Sequence, residues 1–340
     1  MTRVLLARLD SAGDVLLTGP AVQAVAARSE HITLLVSPAG AAAAALLPGV
    51  DDRVVWDCPW TGFGPPPVDA GSIAALVDRL RGDRYDLAVI CTSDHQSPLP
   101  LALLLRQAGI GRIVAASHDY PGSLLDVRHP PGGPHEVERN LSLVEAAGFP
   151  WPGPDGPKLA LRQPYAEVPP ELARLRTAYV VVHPAASVPA RSIPPVKTDE
   201  IVAGLVRAGF AVVLTGEGGR SRPAPAHAPA DSVLDLVGHT TLAELAAVLA
   251  GAMCLVAGNT GPAHLAAAVG TPVVSLFAPV VPASAWAPWG VPSVLLGDQD
   301  APCAGTRARD CPVPGHPCLN DVPVSTVVAA VTGLVREVAA

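Results

Sequence analysis

Apolar runs of strand length alternate with stretches of helical spacing, once on each side of a Pro/Gly-rich segment. That alternation limits the chain to doubly wound α/β layers. In the first half, 4–9, 32–36, 87–91 and 113–115 read as strands. Between and after them, 15–28, 41–47, 73–81, 99–108 and 135–147 read as helices. Residues 150–170 break the pattern with Pro and Gly, and a second set follows. Strands are expected at 179–183, 211–215, 252–256 and 273–277, and helices at 198–208, 242–250 and 325–338. A chain of 340 residues, 49% of them apolar, can bury two cores. We therefore expect two Rossmann-like domains, 1–160 and 171–324. The final helix, 325–340, is expected to pack back on the first. Open sheets bind ligands beyond the carboxyl ends of their strands, so a cleft between two such domains is the expected site.

Charge and cysteine content narrow the partners. A net charge of −7, without a dense Lys/Arg run, gives no face for a phosphate backbone, so nucleic acid is not expected. Asp10 and Asp14 interrupt the apolar N-terminus, and no apolar run reaches about 18 residues. A cytoplasmic chain with no integral membrane segment is expected. The six cysteines, Cys58, Cys91, Cys254, Cys303, Cys311 and Cys318, form no Cys-x-x-Cys pair. The last three cluster near His316, but their spacing is wide for zinc, and no metal is assigned.

Four loops carry chemistry. Val256 to Ala266 combines a strand end, a tight loop and a helix start with Pro262 in its first turn. The unpaired N–H groups and helix dipole there suit a phosphate, and an ordinary capped helix explains the sequence equally well. Arg8-Leu9-Asp10-Ser11-Ala12-Gly13-Asp14 joins the first strand to the first helix. Asp14 at a helix start is kept ionised and reads either as a proton acceptor or, with Ser11, as a cap. In His183 to Arg191, Ser187 and Arg191 suit a diphosphate or belong to a solvated loop. Glu217, in Leu214-Thr215-Gly216-Glu217-Gly218-Gly219, reads as a ribose ligand or a turn carboxylate. Trp60 and Phe63 either stack on a sugar or cover the core.

Taken in order, the segment ending Ser11-Ala12-Gly13-Asp14, the helix from His135-Glu136-Val137-Glu138-Arg139-Asn140-Leu141, His183-Pro184-Ala185-Ala186-Ser187, the run from Asp235 and Gly261-Pro262-Ala263-His264 resemble glycosyltransferase family 9, the heptosyltransferase-like family. The resemblance implies a GT-B fold and inverting, metal-independent transfer from a nucleotide-sugar donor, ADP-heptose or another NDP-sugar, to a hydroxyl acceptor. It implies no cofactor. By position, Asp14 would be the general base, with Ser11 and Gly13 on the acceptor-side loop. Ser187, Arg191, Thr260, Gly261 and His264 would hold the donor diphosphate, and Glu217 and Asn259 the nucleoside or sugar. Two places depart from the pattern: Asn259 stands where the family often has Asp, and Arg191-Ser192-Ile193 replaces a basic-basic-Trp run. A non-catalytic nucleotide- or sugar-binding protein, or an NDP-sugar epimerase or hydrolase on the same plan, remains compatible with the residues.

Overall fold

The structure, a computed structural model, describes residues 2–62, 64–93, 95–130, 132–175, 177–218 and 232–339. Gly219 and Phe63 therefore lie outside the described residues. The chain divides into two compact units, Met1–Arg162 and Gln163–Ala340.

The first unit runs β1 (Arg3–Arg8), α1 (Ala12–Leu17), α2 (Gly19–Ala26), β2 (His31–Val36), α3 (Ala41–Leu46), β3 (Asp52–Val55) and α4 (Ala70–Asp83). It continues with β4 (Leu87–Ile90), α5 (Leu99–Gln107), β5 (Arg112–Ala116), β6 (Val127–His129) and α6 (Glu136–Ala146). Its six strands are ordered β3-β2-β1-β4-β5-β6, all parallel. Val4, Leu5 and Leu6 on β1 and Leu34 and Leu35 on β2 are fully buried, as expected of central parallel strands covered on both faces. The single helix expected at 15–28 is two helices meeting at Thr18. Gly19 and Pro20 open the second, and Pro20 has no N–H to carry the ladder through. Arg162 ends the unit, its backbone N–H and guanidinium donating to the carbonyls of Leu46, Leu47 and Val50.

The second unit runs β7 (Tyr179–His183), α7 (Pro195–Arg207), β8 (Ala211–Leu214), β9 (Val233–Asp235), α8 (Leu242–Ala250), β10 (Cys254–Gly258) and α9 (Gly261–Ala268). After these come β11 (Val273–Leu276), α10 (Ala283–Trp286), β12 (Ser293–Leu296), α11 (Pro317–Asn320) and α12 (Val324–Ala339). The sheet order is β12-β11-β10-β7-β8-β9, again parallel throughout. Counted from its own first strand, this is the same winding as in the first unit, so β7 corresponds to β1 and β10 to β4. Helix α12 packs against α7 and the β10–β12 side of its own sheet, with Val327 and Val331 fully buried. Its approach to α7 is close: a β-carbon on Gly204 would lie 2.6 Å from Val324.

Candidate active site

In the first unit, the carboxyl end of β1 gathers one cation and three carboxylates. Arg8 is fully buried. Its Nε lies 2.8 Å from Asp10 Oδ2, an ion contact rather than an aligned hydrogen bond. One terminal nitrogen donates to Glu136 Oε2 at 2.9 Å, and the other to Asp14 Oδ1 at 3.2 Å and Ser93 Oγ at 2.9 Å. Burial works against the charge on Arg8, but Asp10, Glu136 and Asp14 outweigh it and hold the guanidinium protonated. Burial raises the Asp10 carboxyl above its ordinary value, against the pull of Arg8. Asp10 also accepts a 2.5 Å hydrogen bond from Gln96.

Asp14 occupies the third helical position of α1, where Ser11 donates to its Oδ2 from both N–H, at 3.3 Å, and hydroxyl, at 2.7 Å. The geometry is that of the capping reading: Oδ2 closes the helix start and Oδ1 faces Arg8. The side chain keeps 19% of its surface exposed. Gly13 is buried beside it and Ser11 is exposed. Two open concavities share Cys91, Thr92 and Gln96 at the carboxyl end of β4. Arg139 and His118 line the larger, and Trp60 lines the smaller. Trp60 also meets Trp56 edge-to-face at 5.3 Å, on the core beneath. Complete burial pushes the Cys91 thiol up to about 12, so it stays protonated.

In the second unit, β7 ends at His183, whose Nδ1 lies 2.9 Å from Thr215 Oγ1 at the end of β8. Burial lowers this imidazole to about 4 and keeps it neutral. The following loop is closed by Ile193 N–H on the Pro184 carbonyl and anchored by Ala190 N–H on the Arg309 carbonyl. This brings the half-buried Arg191 to the β10–α9 turn, where its carbonyl occupies the space a β-carbon on Gly258 would need. Thr260 caps α9 in extended conformation without using its hydroxyl. Pro262 has no N–H, and Ala263 N–H turns back to the Thr260 carbonyl, which leaves the Gly261 N–H and the Thr260 hydroxyl as donors at this turn. His264 is buried in the first turn of α9, whereas Ser187 and Glu217 are exposed on their loops.

Both departures from the family pattern carry structural work. Asn259 is 7% exposed, and its amide donates to the Ala278 carbonyl and accepts from the Ala278 N–H, each at 3.2 Å. An aspartate could make only the second bond. Ser192 Oγ accepts from Ala186 N–H at 3.0 Å and braces the β7 loop, while Ile193 is buried in the core. The thiols of Cys303, Cys311 and Cys318 are neighbours, and burial together with the other two pushes Cys318 up to about 11. Among the described residues, no group of three or more His, Cys, Asp or Glu is arranged to hold a metal ion. No described helix is long and apolar enough to cross a membrane.

Asp10, Glu136 and Gln96 received no role from sequence reasoning. The available signals were a charged residue ending an apolar strand and a glutamate opening a helix, and neither names its partner.

The chain is 30% identical over 327 residues to lipopolysaccharide heptosyltransferase 1 of Pseudomonas aeruginosa, covering 91% of this chain and 87% of that protein. It is 27% identical over 235 residues to lipopolysaccharide heptosyltransferase 3 of Escherichia coli, where the match spans 64% of this chain and 65% of that relative, just under two thirds. Its fold is similar to the structure of E. coli ADP-heptose lps heptosyltransferase II, with a TM-score of 0.74, 19% identity and 100% of both chains covered. That likeness, with the paired six-stranded sheets, places the fold in the GT-B class. Residues 73–316 match the family model for glycosyltransferase family 9 (heptosyltransferase), and the chain belongs to that family.

Proposed function

We propose that this enzyme transfers a heptose from ADP-heptose to a hydroxyl acceptor on a glycan, a lipid-linked saccharide or a small metabolite, with inversion and without a metal. The observation that carries the reading is the placement of Asp14: a partly exposed carboxylate, locked in orientation by Ser11 and Arg8, on a chain of this family. The acceptor hydroxyl oxygen attacks the anomeric carbon as the bond from that carbon to the diphosphate oxygen breaks. Asp14 takes the hydroxyl proton, and ADP leaves with the bonding pair. Because the proton moves late, a carboxylate of ordinary strength serves as base when the hydroxyl is held against it. The concavities floored by Cys91, Thr92 and Gln96 are the proposed acceptor ground. On the donor side, the Arg191 cation, the Thr260 hydroxyl, the Gly261 N–H and His264 would meet the charge that develops on the diphosphate. Ser187 and Glu217, exposed on adjoining loops, would reach the phosphates and the ribose. Asn259 shapes the turn through Ala278.

The test has two parts. In thermal shift against a panel of nucleoside diphosphates and NDP-sugars, ADP and ADP-heptose should raise Tm more than their guanosine or uridine counterparts. Asp14→Ala should then reduce turnover by a factor of about 10²–10⁴ with donor binding nearly intact. Equal losses of turnover and donor affinity would refute the base role, and a preference for another nucleotide would refute the donor.

A further inference from the structure

The difficulty with Asp14 as a base is Arg8. A guanidinium paired with a single aspartate lowers its proton affinity, and the 3.2 Å contact from Arg8 would do so here if nothing else engaged that cation. Two other carboxylates do engage it, at shorter distances: Asp10 at 2.8 Å and Glu136 at 2.9 Å. Glu136 comes from α6, 128 residues away, and is itself 99% buried, with its second oxygen 3.3 Å from Arg139. Among the described residues, the groups around this cluster include Arg8 on β1, Asp10 on the following loop, the protonated Cys91 after β4, and Glu136 and Arg139 on α6. Helices α2 and α3 bring no charged residue. With Arg139 opposite Glu136, two cations meet three carboxylates, so Asp10 and Glu136 offset the positive charge beside Asp14 instead of leaving Arg8 to act on it alone.

Resting on the reading of Asp14 as base, we infer that Asp10 and Glu136 are positioning residues of the transfer: by engaging Arg8 they keep its cation from quenching the basicity of Asp14. Neither need touch a substrate. Each removes part of the attraction between Arg8 and Asp14, and each adds repulsion that a proton on Asp14 relieves.

The test uses the full chain labelled with ¹³C-aspartate. The Asp14 carboxyl resonance, assigned by its loss in Asp14→Asn, is titrated in the unsubstituted protein, Glu136→Gln and Asp10→Asn. Both variants should lower the Asp14 midpoint, by about half a unit or more. The acid limb of kcat should move to lower pH by the same amount, with kcat reduced and donor KM changed by less than about twofold. A midpoint that stays or rises in the two variants overturns the inference. The titration needs no turnover, so it decides this point even if the protein transfers no sugar. A lowered midpoint with no transfer in the unsubstituted protein would instead overturn the proposed function. Should Glu136→Gln fail to fold, Asp10→Asn, at a side chain 10% exposed, gives the same readout alone.

Discussion

Arg8 and His183 close equivalent strands, β1 and β7, of two sheets wound in the same order, yet they handle burial in opposite ways. Arg8 keeps its charge in a fully buried position because three carboxylates converge on it. His183, 6% exposed, gives up its charge and pairs with the Thr215 hydroxyl. The loops that follow differ in the same sense. The β1 loop works through ionised side chains held by one another. The second unit's loops work through backbone groups brought close by Gly258, an amide at Asn259 and the cation of Arg191. The difference suits the two proposed tasks. A base needs localised, tuned negative charge, and a phosphate cradle needs fixed dipoles and a cation with no carboxylate crowding them.

The contrast is broken most severely at Arg8. Replacement by Met strands three carboxylates around an apolar side chain and should cost about 3–5 kcal/mol at neutral pH, read by urea denaturation. Part of that loss should return as pH falls and the carboxylates take up protons. A constant loss at all pH values would mean that Arg8 matters by volume alone.

His183 supplies a second pH signature of the same sign, from a buried group that gives up its charge. Its folded value lies near 4, below the ordinary imidazole value of 6.5, so the unfolded chain binds the extra proton between those limits. Stability from this residue is complete above about pH 6.5 and falls as pH drops towards 4, by about 3 kcal/mol in all. His183→Gln should flatten that segment of the stability profile, and an unchanged slope would show that another group is responsible.

The third test sharpens the comparison on the backbone side. Gly258→Ala forces a β-carbon onto the Arg191 carbonyl and should cost about 1–3 kcal/mol while weakening nucleotide binding in the same thermal-shift assay. Nucleotide binding at full strength in a stable Gly258→Ala protein would separate the Arg191 loop from the donor site.

The strands that sequence reading missed share a position. Asp52–Val55, Val127–His129, Val233–Asp235 and Ser293–Leu296 are the four edge strands of the two sheets. Edges are short and face solvent, so they lack the continuous apolar run that marks Tyr179–His183 or Cys254–Gly258. Interior strands were legible because burial on both faces demands apolar residues at every position. Helix α8 was legible to the residue, since Thr241 and Glu244 write a reciprocal cap into the sequence. The break at Thr18 was signalled by Gly19 and Pro20, yet the apolar spacing runs straight across it.

Within the candidate site, the residues that local pattern marks are those at loop and helix starts: Ser11, Asp14, Arg191, Thr260 and Gly261. Their types follow from rules that act over three or four residues, and the sequence by itself determined them, as it determined the alternation of strand and helix. Only the tertiary structure decided that Glu136 and Asp10 share Arg8 with Asp14, that Arg191 rests on Gly258, and that Asn259 is committed to Ala278. Those pairings join residues 19 to 128 positions apart, or neighbours whose direction depends on the sheet beneath them. Charge placement in a buried site is set by which side chains the winding brings together, and short-range propensity carries no record of that.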